Sequence, residues 1–196
     1  MRKPSDVSVR ASLGALAFRL RGGAWSLAYM VLLGLARPTL PSLLAGLVLV
    51  FFGQMLRFWG VGCIVRYRGE KVGAERLVTW GPFAFVRNPL YLGNGLIGLG
   101  WALAGNTHVG VVFFLLLFSL LYILLIIPHE ECFLEDRFGV AFAAYRAKTG
   151  MLLPKRIPSR EELQGTFDVS VLWRSERHSL YVTVLGSALI LSRLWW

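Results

Sequence analysis

The sequence predicts an all-α integral membrane protein with about five transmembrane helices. Three observations predict it. Hydrophobic residues make up 56% of the 196 residues and charged residues only 16%, against ~45–50% and ~25% in an ordinary soluble domain. The apolar residues gather into runs long enough to cross a bilayer. The basic residues, 21 Lys+Arg against 11 Asp+Glu for a net charge of +10, alternate with those runs. The same composition excludes a disordered chain, which needs low hydrophobicity. The two cysteines exclude a disulfide scaffold or a four-cysteine zinc site.

Residues 1–21 form a cytoplasmic N-terminal segment with five cations. Residues 22–65 form a transmembrane hairpin. Its first run, 22–36, is short, and Arg19, Arg21 and Arg37 at its ends can snorkel. The turn Arg37-Pro38-Thr39-Leu40-Pro41 breaks the helix. The second run, 40–65, carries Gln54 and Arg57 inside it, with snorkelling the expected role for Arg57. Residues 66–155 form the core, made of a polar loop, two spans and an amphipathic helix. The first of these spans, 89–105, starts on a proline suited to a first helical position. The other, 109–127, is uncharged and ends at Pro128. Phe133, Leu134, Phe138 and Phe142 recur at helical spacing and continue it as an amphipathic helix. A connector at 156–178 leads to a last span at 179–196, apolar except for Arg193 and ending in an interfacial Trp195-Trp196 pair.

Segments 1–21, 66–88 and 129–178 hold five, five and eight Lys+Arg, whereas the turns on the other side carry only Arg37 and Arg193. Positive charge marks the cytoplasmic face. The N-terminus is therefore expected inside, the C-terminus outside, and the membrane is expected to be the cell (inner) membrane. Charge sorted in this way argues against nucleic acid as a partner. A cleavable signal peptide is not expected, since 1–36 lacks a compact apolar region followed by a small-residue site. Cys63 and Cys132 fall at cytoplasmic span ends, where a disulfide is not expected.

All acidic residues but Asp6 lie in 66–88 and 129–178, so any chemistry belongs to these two segments. In the first, Gly81-Pro82 and Asn88-Pro89 are turn signals. Arg87 and Asn88 place donors beside a helix N-terminus, itself an anion site. An interfacial loop with aromatic anchors fits the same residues. In the second, Glu130 and Glu131 sit at the membrane junction, where paired carboxylates are costly without a partner. They are either a solvated helix start or a pair for a cationic or hydroxyl-bearing ligand. Gly93-x-Gly95-x-x-Gly98 matches a dinucleotide-binding pattern but lies in an apolar run, where small residues serve helix packing. His129, Glu130, Cys132 and Glu135 have no zinc-site spacing, so no metal is expected.

Leu77-Val78-Thr79-x-Gly81-Pro82-Phe83-x-Phe85-Val86-Arg87-Asn88-Pro89-Leu90-Tyr91-Leu92-Gly93 resembles a signature of the integral-membrane methyltransferases. These include isoprenylcysteine carboxyl methyltransferases and phospholipid N-methyltransferases. Glu130-Glu131-x-x-Leu134-x-x-x-Phe138-Gly139, followed by Tyr145 and Leu153-Pro154, resembles their second signature. The likeness covers roughly residues 66–155.

The resemblance implies a methyltransferase (EC 2.1.1) that uses S-adenosylmethionine in a cytoplasm-facing pocket. It also implies a lipophilic small-molecule or lipid acceptor taken from among membrane lipids. By the same resemblance, Leu77, Val78, Phe83, Asn88, Pro89, Leu90, Tyr91, Glu130 and Glu131 would line the cofactor pocket. Arg87 and Glu131 would be catalytic. Arg-Asn-Pro at 87–89 is nearer to the phospholipid enzymes than to the prenylcysteine ones. The prenylcysteine enzymes carry an arginine for the substrate carboxylate about one turn before the glutamate pair, where this chain has Ile126 and Ile127; Arg57 in the second run could substitute for it. The acceptor stays open between a phospholipid amine and an isoprenylcysteine-like carboxylate. Two other functions share the outline: a sterol reductase-like enzyme using NADPH, and a non-catalytic membrane scaffold.

Overall fold

The computed structural model describes residues 4–64 and 76–195. The basic and acidic residues at 66–75, among them Arg66, Arg68, Glu70, Lys71 and Glu75, lie outside the described residues, as do Arg2, Lys3 and Trp196. Among the described residues the chain is helical, and its only strand-like pairing is a single parallel bridge between Val86 and Gly150.

Helix α1 runs unbroken over Pro4–Leu35, about 48 Å at 1.5 Å per residue. The basic N-terminal segment and the first apolar run are thus one rod. Gly22 and Gly23 do not break it, because the rod packs along the helix formed by residues 108–138. A Cβ on Gly14 would stand 2.7 Å from His129 Cβ, so the two backbones approach closely there. The expected turn follows, and Thr39 opens α2 (Leu40–Gly62) with a reciprocal capping box to Ser42. Helix α3 is a single turn, Pro82–Phe85, entered through Gly81 at φ +61°. Helix α4 spans Pro89–Ala104.

Helices α2 and α4 form the tightest pair in the fold. Gly46 and Gly53 on α2 meet Gly100 and Gly93 on α4. An added Cβ at Gly46 would lie 2.3 Å from Gly100 O, and one at Gly53 would lie 2.7 Å from Gly93 O. The other glycines of the false dinucleotide pattern face the opposite way. Gly95 abuts the Phe118 ring and Gly98 the Phe114 ring. Small residues let backbones touch, as the packing reading of that pattern requires.

Thr107 caps α5 (His108–Phe118), which runs through a π-helical stretch, Ser119–Ile126, into α6 (Ile127–Phe138). Pro128 has no N–H and crowds the carbonyl four residues back. The wider turn ahead of it absorbs that mismatch without ending the helix. Gly139 at φ +50° turns the chain into α7 (Val140–Lys148), whose Phe142 is fully buried. Ser159 caps the short α8 (Arg160–Leu163) and Asp168 caps α9 (Val169–Ser192). Helix α9 begins well before residue 179, so much of the expected connector is helix. It is anchored at its start by Asp168 N–H donating to Gly62 O at 2.8 Å.

Among the described residues two helices, Leu40–Gly62 and His108–Phe138, are long and apolar enough to cross a membrane. The outer faces of α2, α5 and α9 present Leu44, Phe51, Val112, Leu116, Val184 and Leu185 exposed. Exposed apolar faces of this kind are suited to lipid.

Candidate functional site

Three polar clusters lie inside this apolar frame. The first joins the two signatures. Extended backbone at 86–88 runs beside 149–151. Arg87 N donates to Gly150 O at 2.8 Å, and Asn88 N to Met151 O at 3.2 Å. The side chains repeat the join. Arg87 donates through Nε and Nη2 to the Glu131 carboxylate at 2.8 and 3.1 Å, and Nη1 reaches Thr149 O. Asn88 holds the N-cap position of α4 but does not cap it; its Nδ2 donates to Glu131 Oε1 at 3.2 Å. Tyr145 OH donates to Phe83 O at 2.8 Å. Burial, reinforced by the Glu131 charge, holds the Tyr145 hydroxyl well above the usual phenol range, while Arg87 opposes it. Tyr145 is therefore a neutral donor at any physiological pH.

The second cluster is one turn away. Tyr91 OH donates to Glu130 Oε1 at 2.7 Å, and both residues are buried. Among the described residues no basic side chain is ion-paired with Glu130. Glu130, Tyr91 and Leu90 line a cavity of about 510 Å³. Its walls are mostly aromatic and aliphatic. Trp25 of α1 stacks on Tyr122 with centroids 5.7 Å apart, and Tyr122 lies 4.7 Å from Tyr91.

The third cluster faces the same cavity, and the Glu176 partner of Arg57 in it was not foreseen. Arg57 does not snorkel. It donates through Nη2 and Nε to the two Glu176 oxygens at 2.6 and 2.9 Å, and through Nη1 to Asn94 Oδ1. Gln54 reaches Glu176 at 3.4 Å and accepts from Thr183 Oγ1 at 2.9 Å. Asn94 Nδ2 donates to Tyr122 OH at 3.2 Å. The available signal was Gln54 and Arg57 three residues apart on one face of an apolar helix. Such residues seek partners inside the bundle.

The expected site residues therefore separate. Leu90, Tyr91 and Glu130 line the large cavity. Arg87, Asn88 and Glu131 bond to one another beside it. Leu77 and Val78 are half-buried in the irregular segment that leads to α3, and Phe83 lies on α3. Their neighbours Thr79, Trp80 and Ala84 line a second cavity of about 340 Å³ with Tyr145, Arg156 and Glu162. Glu130 turns to Tyr91, while Glu135 pairs with Arg146 at 2.9 Å.

The family model described as phospholipid methyltransferase matches residues 41–141. The cobalt-zinc-cadmium resistance protein CzcN of Cupriavidus metallidurans is 33% identical over 138 residues, which cover 69% of this chain and 60% of that protein. The chain thus spans less than two thirds of that relative's length. No solved structure matches it significantly.

Proposed function

The chain belongs to the phospholipid methyltransferase family, and from that premise we propose that it moves a methyl group from S-adenosylmethionine to a lipophilic acceptor at the cytoplasmic membrane face. The observation that carries this reading is Glu130: a buried carboxylate on the wall of a largely apolar cavity, bonded to a tyrosine hydroxyl. Burying a carboxylate is costly without a compensating charge. A cationic ligand supplies one, so the donor set fits a sulfonium compound. S-adenosylmethionine, when bound, supplies a methyl group on positively charged sulfur, open to displacement by an electron pair.

The chain's own residues align and shield the reaction. Tyr91 fixes the Glu130 carboxylate, Leu90 lines the same cavity, and Pro89 opens the helix that carries both Leu90 and Tyr91. Leu77, Val78 and Phe83 belong to the same signature and are proposed as further donor contacts. Asn88, Glu131 and Arg87 act as positioning residues: they lock the start of α4 to the chain after α7, so that both signatures keep one geometry. The apolar walls exclude water, and alignment of two held reactants can supply a large part of the rate. Acceptors of this kind are a phospholipid amine or an isoprenylcysteine-like carboxylate. The proposed topology has five spans, α1, α2, α4, the 108–138 helix and α9, with the N-terminus and both signatures on the cytoplasmic side. The distribution of Lys and Arg supports that orientation.

The test is calorimetric titration of the detergent-purified chain with S-adenosylhomocysteine, followed by radiolabelled methyl transfer into a total lipid extract. Binding and a labelled lipid are expected. Base-labile label identifies an ester and base-stable label an N-methyl product. Protection by NADPH and none by S-adenosylhomocysteine would sink the proposal.

A further inference from the structure

The family match ends at residue 141, yet one wall of the large cavity comes from beyond it. Helix α9 contributes Val171, Ser175, Glu176, His178 and Thr183 to that wall. Glu176 is 3% exposed and its side chain pairs with Arg57, whose side chain is 14% exposed. The pair is held on three sides, by Gln54 of α2, Asn94 of α4 and, through Gln54, Thr183 of α9.

A guanidinium has five N–H donors in a fixed fork. The bonds to Glu176 and Asn94 take three of them. One donor remains on each terminal nitrogen, and Arg57 lines the cavity. Two such donors suit two oxygens of one anion. The formal charges facing the cavity, Arg21 and Arg57 against Glu130 and Glu176, cancel. With Glu130 given to the donor's sulfonium, Arg21 and Arg57 against Glu176 leave one positive charge for the anion of an acceptor. A buried ion pair contributes little to stability against an apolar pair of the same shape. Its chemical capacity is the stronger reason to read it as a site.

We propose that Arg57 holds the anionic group of the methyl acceptor, an amphiphile with a phosphate or carboxylate close to the accepting atom, and that Glu176 of α9 is its positioning residue. This rests on the methyltransferase reading above for the word acceptor, but the amphiphile site itself can be measured without any methyl donor. Arg57 and Glu130 stand on walls of one cavity, so an acceptor held by its anion at Arg57 presents its accepting atom toward the donor at Glu130. Hydrogen bonds run from Arg57 through Asn94 to Tyr122, and the Tyr122 ring lies against Tyr91, which holds Glu130.

The experiment uses the full chain in detergent. Dodecyl phosphate and dodecanoate are titrated by calorimetry, with dodecylamine as the anion-free control. S-adenosylhomocysteine is titrated separately. Wild type is expected to bind one of the anionic amphiphiles about tenfold or more tightly than the amine, and the stronger of the two names phosphate or carboxylate as the group read. Arg57→Gln is expected to abolish that preference while S-adenosylhomocysteine affinity stays within about twofold. Arg57→Lys should restore it in part, and Glu176→Gln should weaken it less than Arg57→Gln. In methyl transfer the loss should appear in the acceptor KM. If single variants fail to fold, the joint change Arg57→Met with Glu176→Met removes both charges together and should fold yet lose the preference. Equal binding of all three amphiphiles by wild type, or an unchanged preference in Arg57→Gln, overturns the subsite. Failure of wild type to bind S-adenosylhomocysteine while the anion preference persists overturns the methyltransferase reading and keeps the subsite.

Discussion

Replacing Glu131 with Gln isolates the join between the two signatures. The carboxylate accepts from Arg87 Nε, Arg87 Nη2 and Asn88 Nδ2 at 2.8, 3.1 and 3.2 Å. The Arg87 and Glu131 side chains are only 8% and 12% exposed. Gln keeps one acceptor oxygen but removes the charge and turns an N–H₂ toward a guanidinium. Removing one partner of a buried pair costs about 3–5 kcal/mol, and the retained oxygen puts this case at the low end, about 3 kcal/mol. For a chain of this size each kcal/mol shifts Tm by about 2–4 °C, so Tm should fall by about 6–12 °C. The assay is thermal unfolding in detergent followed by tryptophan fluorescence, with S-adenosylhomocysteine affinity measured below the transition. Affinity should fall about tenfold or more, as a loosened 86–88 segment no longer presents Tyr91 and Leu90. The double change Arg87→Met with Glu131→Met should recover most of the Tm, because no lone charge is left buried. A Tm for Glu131→Gln within about 2 °C of wild type, or a double variant no more stable than the single, would refute the assignment of this pair as the join.

Three further outcomes follow from the packing and the pH behaviour. Gly46→Ala should cost about 1–3 kcal/mol in the same unfolding assay, because its Cβ would meet backbone atoms of Gly100 and Ala104 that cannot step aside; Gly34→Ala, with open space at that Cβ, should be neutral or stabilising. Phe142→Ala should cost about 3–5 kcal/mol, since the ring is fully buried and nothing mobile can refill the space. The Glu162 carboxyl, hydrogen-bonded by Arg156 and the Ser159 N–H, is held down at about 2. Its folded value lies below the unfolded one, so its contribution is complete above the ordinary carboxylate range and fades as pH falls toward about 2. Carboxyl NMR should show that titration, and Arg156→Ala should move it back toward about 4.

Much of the frame was written locally. Pro38 and Pro41 with Thr39 and Ser42 contain their own turn and cap, and Pro89 opens α4 because a first helical position needs no N–H. The two signatures could be placed from residue types alone, but their mutual contact could not. Asn88 sits where a capping residue sits, and nothing nearby reveals that its amide turns instead to Glu131, 43 positions away. The equivalence of Glu130 and Glu131 was also broken only in three dimensions. Adjacent helical residues point about 100° apart, so one reaches Arg87 and the other Tyr91. The length of α1 escaped the hydropathy pattern because Arg19 and Arg21 interrupt its apolar stretch, and packing against the helix over 108–138 carries the rod through them.

The sequence by itself determined the solvent the protein lives in and its helical class. Both follow from quantities that sum along the chain: apolar run length, breaker residues and the alternation of charge. It also marked two signatures, because their residues recur at short fixed spacings. Only the tertiary structure decided which charges meet. Glu176 stands 119 positions from Arg57, in a helix outside the family match, and becomes part of the cavity because α9 packs against α2. The physical reason is that hydropathy acts through each residue's own transfer from water, whereas a buried ion pair exists only between partners. Its geometry is set by the helix crossing that brings them together.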